Sequence, residues 1–268
     1  MTNVAITGAA GRMGQTLVAA IAEHPDIRLT AAIEREGNDA LGTDVGVIAG
    51  TGRNGVIITD DLAAAVSSFD VLIDFTAATA TPRHIEICRE HRKKMVIGTT
   101  GMSQEQVAAL REAGRDIAIV YASNYSVGVN ATFKLVEMAA QILGDGYDVE
   151  IIEAHHRHKI DAPSGTALSL GEAVCKALGR NLPDVATHGR EGITGERDRA
   201  SIGFHALRGG EIVGEHTVIF ASAGERLEIT HRAQSRMNFA TGAVRAAAFV
   251  AGQETGVFDM QDVLGLNK

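Results

Sequence analysis

The sequence has few cysteines, and their placement argues against disulfide or zinc chemistry. Only two occur in 268 residues, Cys88 and Cys175. They lie far apart, and neither belongs to a CxxC or mixed Cys/His spacing of the kind found in disulfide frameworks and zinc sites. We therefore expect two small buried side chains in a protein of the reducing cytoplasm.

Long hydrophobic runs and an excess of positive charge are also missing. No apolar run approaches the roughly 20 residues that cross a bilayer, and the first residues do not resemble a signal peptide. Lys and Arg number 25 against 33 Asp and Glu, a net charge of −8. These absences predict a soluble, unprocessed chain that has neither a membrane nor a nucleic acid as its partner. Its length and 45% hydrophobic content suit two domains.

Up to about residue 122, short apolar runs alternate with helical stretches in units of roughly 30 residues, the pattern of a parallel α/β sheet. Pro82 at a first helical position and the capping-box spacing of Ser103 and Gln106 mark two helix starts. The predicted strands span residues 3–7, 27–33, 55–59, 71–75, 95–98 and 117–121.

After residue 124 the pattern changes. A helix is predicted over 127–143, followed by strands over 147–154, 201–207, 211–221 and 226–233. The short turns at 209–210 and 223–225 predict hairpins, and therefore antiparallel pairing. A last helix, 237–252, is available to return to the first domain, whose sheet otherwise lacks a covering element on one face.

A glycine-rich loop follows the first strand, with the sequence GAAGRMG at residues 8–14 and a helix predicted over 15–23. Glycines let the backbone turn sharply and approach a pyrophosphate, and the N–H groups at a helix start point at the anion. The spacing is G-x-x-G-x-x-G, and its alternative interpretation is a purely structural turn. The candidate phosphate-binding residues are Gly8, Ala9, Ala10, Gly11, Arg12 and Met13.

Glu34 ends the second predicted strand, about 20 residues after the loop, where an acid accepts hydrogen bonds from an adenosine ribose. Arg35 suits a 2′-phosphate or adenine stacking, so the pair predicts use of both NADH and NADPH. An exposed charge pair is the alternative. Two more loops follow strand ends and suit a nicotinamide ribose or, equally, ordinary helix capping. Their residues are Gly98, Thr99 and Thr100, and Ala122, Ser123, Asn124 and Tyr125.

Residues 153–167 read EAHHRHKIDAPSGTA. Adjacent residues of an extended segment point in opposite directions, so His155 and His156 do not readily share a metal, and no metal is expected. Ser164 suits an N-cap, with Gly165 and Thr166 opening a helix whose free N–H groups would receive a carboxylate. Plain helix capping is the alternative interpretation.

The histidines and Lys159 precede that helix start directly. Imidazole and a lysine amine are suitable proton donors for a reduction that uses a nicotinamide cofactor. Arg157 and His158 have no assigned role.

Together the two segments resemble the family of 4-hydroxy-tetrahydrodipicolinate reductase, also called dihydrodipicolinate reductase. VIGTTG at 96–101, NYSVGVN at 124–130 and GEHTV at 214–218 extend the resemblance over essentially the whole chain. Tyr125 stands where many members have phenylalanine, which would add a hydroxyl hydrogen bond.

The resemblance implies a Rossmann-like cofactor domain, 1–126 plus 237–268. It also implies a substrate and oligomerisation domain, 127–236, with a mixed, largely antiparallel sheet and a homotetramer. Family members reduce a cyclic unsaturated dicarboxylate to tetrahydrodipicolinate with NADH or NADPH, in lysine and diaminopimelate biosynthesis.

The resemblance further implies His155 as general acid/base, Lys159 as proton donor, and His156, Gly165 and Thr166 as substrate contacts. The residue pattern adds Ser164 and Lys159 to the predicted substrate contacts. Three alternatives stay open at this point: a dehydrogenase for another small acid, an NAD(H)-sensing regulator and a zinc hydrolase.

Overall fold

The computed structural model describes residues 1–267. They fold into two compact units, one formed by residues 1–127 together with the segment from Arg236 onward, the other by Gly128–Ser235. The sequence prediction placed the boundaries at 126/127 and 236/237. None of the described helices is long and apolar enough to cross a bilayer.

The first unit is a parallel sheet of seven strands in the order β12-β6-β5-β4-β1-β2-β3. Its strands are β1 Thr2–Thr7, β2 Ile27–Ile33, β3 Ile58–Thr59, β4 Val71–Asp74, β5 Lys94–Ile97, β6 Ala118–Tyr121 and β12 Gly256–Phe258. Its helices are α1 Arg12–Ala22, α2 Val45–Ile48, α3 Leu62–Ala65, α4 Thr81–Glu90, α5 Gln104–Ala113, α9 Met237–Ala251 and α10 Met260–Leu264. The six predicted parallel strands are confirmed.

Alternation along β1 directs side chains to two cores. Val4 and Ile6 pack with α1 and α9 on one face, while Ala5 packs with α4 and α5 on the other. Such burial on both faces is typical of parallel sheets. The last helix returns to this unit as predicted, and its buried alanines let it approach the sheet closely. The seventh strand, β12, was not predicted, because three residues are too few for a periodic pattern.

The second unit is a five-stranded mixed sheet in the order β11-β10-β7-β9-β8. Its strands are β7 Asp148–His155, β8 Ala186–His188, β9 Ile202–Arg208, β10 Gly214–Ala221 and β11 Arg226–Ala233, and its helices are α6 Val127–Leu143, α7 Gly165–Leu178 and α8 Leu182–Val185. Residues from α6 and α7 pack with apolar side chains of the sheet to form one core.

One predicted hairpin is present and the other is wrong. β10 and β11 pair antiparallel across the turn at 223–225. The predicted hairpin at 209–210 does not form, because β7 lies between β9 and β10, parallel to β9 and antiparallel to β10. β10 begins at Gly214, so the connection from β9 is longer than predicted. Five residues reach across one intervening strand, since neighbouring strands are only about 4.8 Å apart.

Candidate active site

The glycine loop of the first unit has the backbone geometry of an anion cradle. Gly8 has φ of +66°, a conformation that side chains disfavour. Gly11 is the N-cap of α1, which begins at Arg12 rather than at the predicted residue 15. A Cβ on Gly14 would overlap the carbonyl oxygens of Gly8 and Ala9. The loop therefore packs against the start of α1 at a distance that only glycine permits. As a result, the backbone N–H groups of the first turn of α1 lie next to the carboxyl end of β1.

Glu34 and Arg35 lie beside this loop. The Glu34 carboxylate accepts the Ala10 N–H at 3.1 Å and the Arg35 N–H at 3.0 Å. Gly8, Gly11, Glu34 and Arg35 line a cleft of about 810 Å³. The structure therefore brings the loop, the acid and the arginine together, at the carboxyl ends of parallel strands where such folds bind ligands.

The predicted loops at 98–100 and 122–125 contribute nothing to the lining of that cleft within residues 1–267. Thr99 is buried, and its hydroxyl oxygen accepts hydrogen bonds from the Thr76 N–H and the Thr81 hydroxyl. Tyr125 is also buried, and its hydroxyl donates to the carbonyls of Ile97 and Val120. These two side chains hold strand ends together, so a cofactor would meet them through their backbone.

A buried acid at the end of β4, Asp74, was missed by the sequence analysis. Its oxygens accept hydrogen bonds from the Thr7 and Thr76 hydroxyls, and Oδ2 lies 2.9 Å from His84 Nδ1. Burial alone would raise the pKa of Asp74, but the His84 contact and the hydroxyls hold the pKa below its usual value. Thr76 and His84 line the same cleft as Glu34.

The second unit concentrates polar groups on the inward face of its sheet. Along β7 every second residue is buried, so Glu153 and His155 follow Val149 and Ile151 onto the face that packs against helices. Along β10 the same alternation buries Gly214 and His216. Glu153 has 1% of its surface exposed, and His216 has 5%. Buried polar groups of this kind require partners.

Those partners are present at Glu153. Its carboxylate accepts two hydrogen bonds from Arg208, at 2.7 and 2.9 Å, and one from the Ser164 N–H at 3.1 Å. Oε2 lies 2.6 Å from Nδ1 of His155. Burial alone would raise the pKa of Glu153, but the contacts with Arg208 and His155 hold the pKa below its ordinary value, so the carboxylate is ionised at neutral pH.

His155 is neutral at pH 7. Burial lowers its pKa and outweighs the opposing effect of Glu153, and the charges of Lys159 and Arg208 act in the same direction as burial. The His216 ring lies edge-on to it, with 5.1 Å between ring centroids. A neutral imidazole close to a cationic side chain is suited to proton exchange.

Ser164 is the predicted N-cap of α7, and it forms the cap. Its hydroxyl oxygen accepts the Ala167 N–H at 3.2 Å and lies 2.9 Å from Nε2 of His216. Gly165, the first helical residue, is exposed. Burial lowers the pKa of His216 to about 4, so this imidazole is also neutral at pH 7. The result is an accessible helix start beside two neutral imidazoles.

The remaining residues of the 153–167 segment are less buried. Lys159 forms an ion pair with Asp161, with Nζ 2.8 Å from Oδ1. His156 is half-buried, and its Nδ1 has no hydrogen-bond partner among the described residues. Arg157 and His158 are exposed. Across residues 1–267, no group of three or more His, Cys, Asp or Glu side chains is placed to hold a metal ion.

Sequence reasoning named His155, Lys159 and Ser164 but missed Glu153, Arg208 and His216. A signal for Glu153 and His216 was present, because each continues an alternation of apolar residues on its strand, and a polar residue at an inward position needs a buried partner. Arg208 carried no comparable signal. Its relation to Glu153 depends on the parallel pairing of β7 and β9, which was not predicted.

The chain is similar to one family of known proteins over nearly its whole length. Residues 2–125 match the family model described as dihydrodipicolinate reductase, N-terminus, and residues 128–264 match its C-terminus counterpart. The 4-hydroxy-tetrahydrodipicolinate reductase of Alkalilimnicola ehrlichii is 58% identical over 99% of both chains. That of Acinetobacter baumannii is 58% identical over 98% of this chain and 96% of its own.

Among solved structures, a dipicolinate-bound dihydrodipicolinate reductase from Paenisporosarcina sp. TG-14 is similar in fold. Its TM-score is 0.77 at 23% identity, covering 98% of this chain and 99% of that one. A myo-inositol dehydrogenase from Corynebacterium glutamicum has a TM-score of 0.61 at 15% identity, covering 100% of this chain and 94% of its own.

Proposed function

We propose how this chain works from the premise that it belongs to the dihydrodipicolinate reductase family. It is an NAD(P)H-dependent oxidoreductase that reduces the dihydrodipicolinate-type cyclic dicarboxylate to tetrahydrodipicolinate, in lysine and diaminopimelate biosynthesis. The observation that carries the residue assignments is the pairing, in one unit, of a helix start open to an anion with a neutral imidazole held by a buried carboxylate.

The first unit would hold the cofactor. The close packing of Gly8 against Gly14 leaves a cradle that a Cβ would fill, and it fits a pyrophosphate at the start of α1. Residues 8–13 would bind the phosphates, Glu34 the adenosine ribose and Arg35 a 2′-phosphate. We assign the loops at 98–100 and 122–125 to the nicotinamide end through their backbone groups. When bound, NADH or NADPH supplies a hydride ion.

The second unit would hold the dicarboxylate. The helix start at Gly165 and Thr166 presents backbone donors and a positive helix end to one carboxylate. His156 and Lys159 add donors on the side from which the chain enters the helix. Lys159 is already paired with the exposed carboxylate of Asp161. When a substrate carboxylate binds at Lys159 it takes the place of Asp161, so the lysine exchanges one anionic partner for another.

Reduction of a conjugated double bond by hydride requires one proton as well, because the hydride brings an electron pair and no net proton. Lys159, as an ammonium ion, is the proposed proton donor. His155 is the proposed general acid/base, since its imidazole is neutral and titrates below its usual range. No residue of the site has to hold a metal for this chemistry.

We also propose that the chain is a cytoplasmic homotetramer. On the face of the second sheet that its helices do not cover, Leu207 is 52% exposed and Ile152 and Ile219 are only partly buried, an apolar surface of the kind that another subunit covers. The two cysteines are free and buried, as in a reducing compartment. Light scattering of the purified protein should give four times the 28.2 kDa chain mass.

A coupled assay tests the activity. The cyclic intermediate is generated in situ, and oxidation of NADH and of NADPH is followed in separate reactions. We expect turnover with both, and kcat lowered about 10²-fold or more in His155→Ala and in Lys159→Ala, with NADH affinity nearly unchanged. Absence of cofactor oxidation by the wild-type protein would refute the function, and full activity of the double variant would refute the two assignments.

A further inference from the structure

The Glu153 carboxylate has every acceptor position in use. Oε1 receives the Ser164 N–H and one Arg208 N–H, while Oε2 receives the other Arg208 N–H and faces Nδ1 of His155. A carboxylate has about four lone-pair sites, so all of them are filled. Four contacts from three different parts of the chain leave this group, which is 1% exposed, no freedom to rotate.

This saturation determines the tautomer of His155. An ionised carboxylate only accepts hydrogen bonds, so the proton of the neutral imidazole must lie on Nδ1, facing Oε2. Nε2 then carries the lone pair. The charged and titratable groups that face His155 are Glu153, Lys159, Arg208 and His216, and none of them forms a hydrogen bond with Nε2 among the described residues.

The residue of β10 next to Nε2 is a glycine. A Cβ built on Gly214, the first residue of β10, would lie 3.2 Å from Nε2 and 3.4 Å from Cδ2 of the ring. The neighbouring strand therefore passes Nε2 with a bare backbone. At position 214 the strand thus places no side chain against the nitrogen that carries the lone pair.

We propose that Glu153 is the positioning residue of the reaction, which fixes the Nδ1–H tautomer and the orientation of His155, so that the lone pair of Nε2 takes up a proton from solvent and passes it on to replace the one that Lys159 donates to the substrate. Arg208 keeps Glu153 ionised and immobile. Through the Ser164 N–H, the same carboxylate also ties His155 to the helix start that receives the substrate carboxylate. The inference rests on the function proposed above and deepens it.

A purely structural role for Glu153 is the competing explanation, because a buried ion pair and a helix-start contact also stabilise the fold. The substitution Glu153→Gln distinguishes the structural role from the positioning role. The glutamine has the same shape, but its amide NH2 is a donor, and with that group toward His155 the ring must carry its proton on Nε2 instead. Loss of the correct tautomer costs triad enzymes about 10⁴-fold in kcat.

The chain offers a matched control on the same strand. Glu150 is also held by two arginines and a histidine, namely Arg190, Arg197 and His205, and lies on the opposite face of β7. Those contacts hold its pKa at about 2 although burial would raise it. Glu150→Gln removes a comparable ion cluster and leaves His155 untouched.

The experiment measures kcat, substrate KM and the ring ¹⁵N shifts of His155 in wild type, Glu153→Gln, Glu153→Asp and Glu150→Gln. We expect Glu153→Gln to lose about 10²- to 10⁴-fold in kcat with a much smaller change in KM, and to shift the proton from Nδ1 to Nε2. Glu153→Asp, which keeps the charge, should retain the Nδ1–H tautomer and more activity than the glutamine variant. Glu150→Gln should retain wild-type kcat.

Three results would overturn the inference. They are a Glu153→Gln enzyme with near wild-type kcat, an equal loss of kcat in Glu150→Gln, and a wild-type His155 protonated on Nε2. If Glu153→Gln fails to fold, the ring ¹⁵N shifts of His155 in the wild type still show which nitrogen carries the proton, and the kcat of Glu153→Asp still tests the role of the carboxylate. If the wild-type protein oxidises no cofactor, the proposed function fails, while the ¹⁵N shifts still report whether Glu153 sets the tautomer.

Discussion

Gly214→Ala tests where the proton is exchanged, because it places one methyl group beside the proposed reacting nitrogen. The new Cβ would lie 3.2 Å from Nε2 of His155, inside the roughly 3.5–4.0 Å of ordinary van der Waals contact. The ring therefore has to shift by a few tenths of an ångström. The 2.6 Å contact between Nδ1 and Glu153 opposes that shift. The ring therefore settles in a strained position, and Nε2 is displaced from the place it needs for proton transfer.

The expected cost is kinetic rather than structural. Gly214 does not have a positive φ, so alanine adopts its backbone conformation. At such a position the change from glycine to alanine stabilises a fold by about 0.4–1 kcal/mol through the unfolded chain, which offsets the close contact between the new methyl group and the ring. A misplacement of 1 Å in an active site costs about 10²-fold in rate, so we expect kcat to fall by about tenfold. Covering Nε2 would add to that loss.

Initial rates of NADH oxidation give kcat and KM, and urea unfolding gives the stability. Gly224→Ala is the control, because a Cβ there meets nothing within 4 Å. We expect it to match wild type in rate. An unchanged kcat in Gly214→Ala, with the protein folded and His155 in place, would refute the assignment of Nε2 as the proton-exchanging atom.

Three further predictions follow from single contacts. Arg35→Ala should weaken NADPH by about tenfold and NADH much less in KM measurements, since a charge-assisted bond to phosphate contributes about 1.5–3 kcal/mol; an equal loss would show that Arg35 does not read the phosphate. Arg208→Met leaves the buried Glu153 charge uncompensated and should cost about 3–5 kcal/mol in urea unfolding. The control is Arg232→Met, which removes an ion pair to Glu215, a carboxylate that is 41% exposed, and should cost less than about 1 kcal/mol. Equal losses of unfolding free energy in the two variants would contradict the role of burial at Glu153. The pKa of His216 is lowered to about 4 in the folded state, so its contribution to stability is complete above its ordinary pKa of 6.5 and is lost as the pH falls through 4. The wild type should lose up to about 3 kcal/mol of unfolding free energy on acidification, and His216→Gln less; parallel pH curves would exclude this cause.

The sheet of the first unit was predictable because parallel strands buried on both faces leave continuous apolar runs, separated by helices with recognisable starts. The predicted capping box of Ser103 and Gln106 is present at α5, for the same local reason. The second sheet was predicted less well. Its turns indicated which strand ends lie near each other, but a turn does not exclude a third strand between them, and β7 occupies that place.

The candidate site divides in the same way. His155, Lys159, Ser164 and Gly165 lie within a few residues of each other, so one short segment was enough to suggest a pocket for an anion and a proton. Tyr125 shows the limit of such reasoning. Its position in a strand-end loop suggested a contact with the cofactor, but its hydroxyl is bonded inside the core to two strand-end carbonyls.

The amino-acid sequence by itself determines the features that depend on neighbours in the chain: the glycine loop, the helix caps, the strand periods and the histidine segment. The meeting of Glu153 with Arg208, and of Ser164 with His216, was decided only by the tertiary structure. These pairs are 55 and 52 residues apart, and they come together because β7 lies between β9 and β10. Strand order depends on how whole elements pack, and no local pattern encodes it.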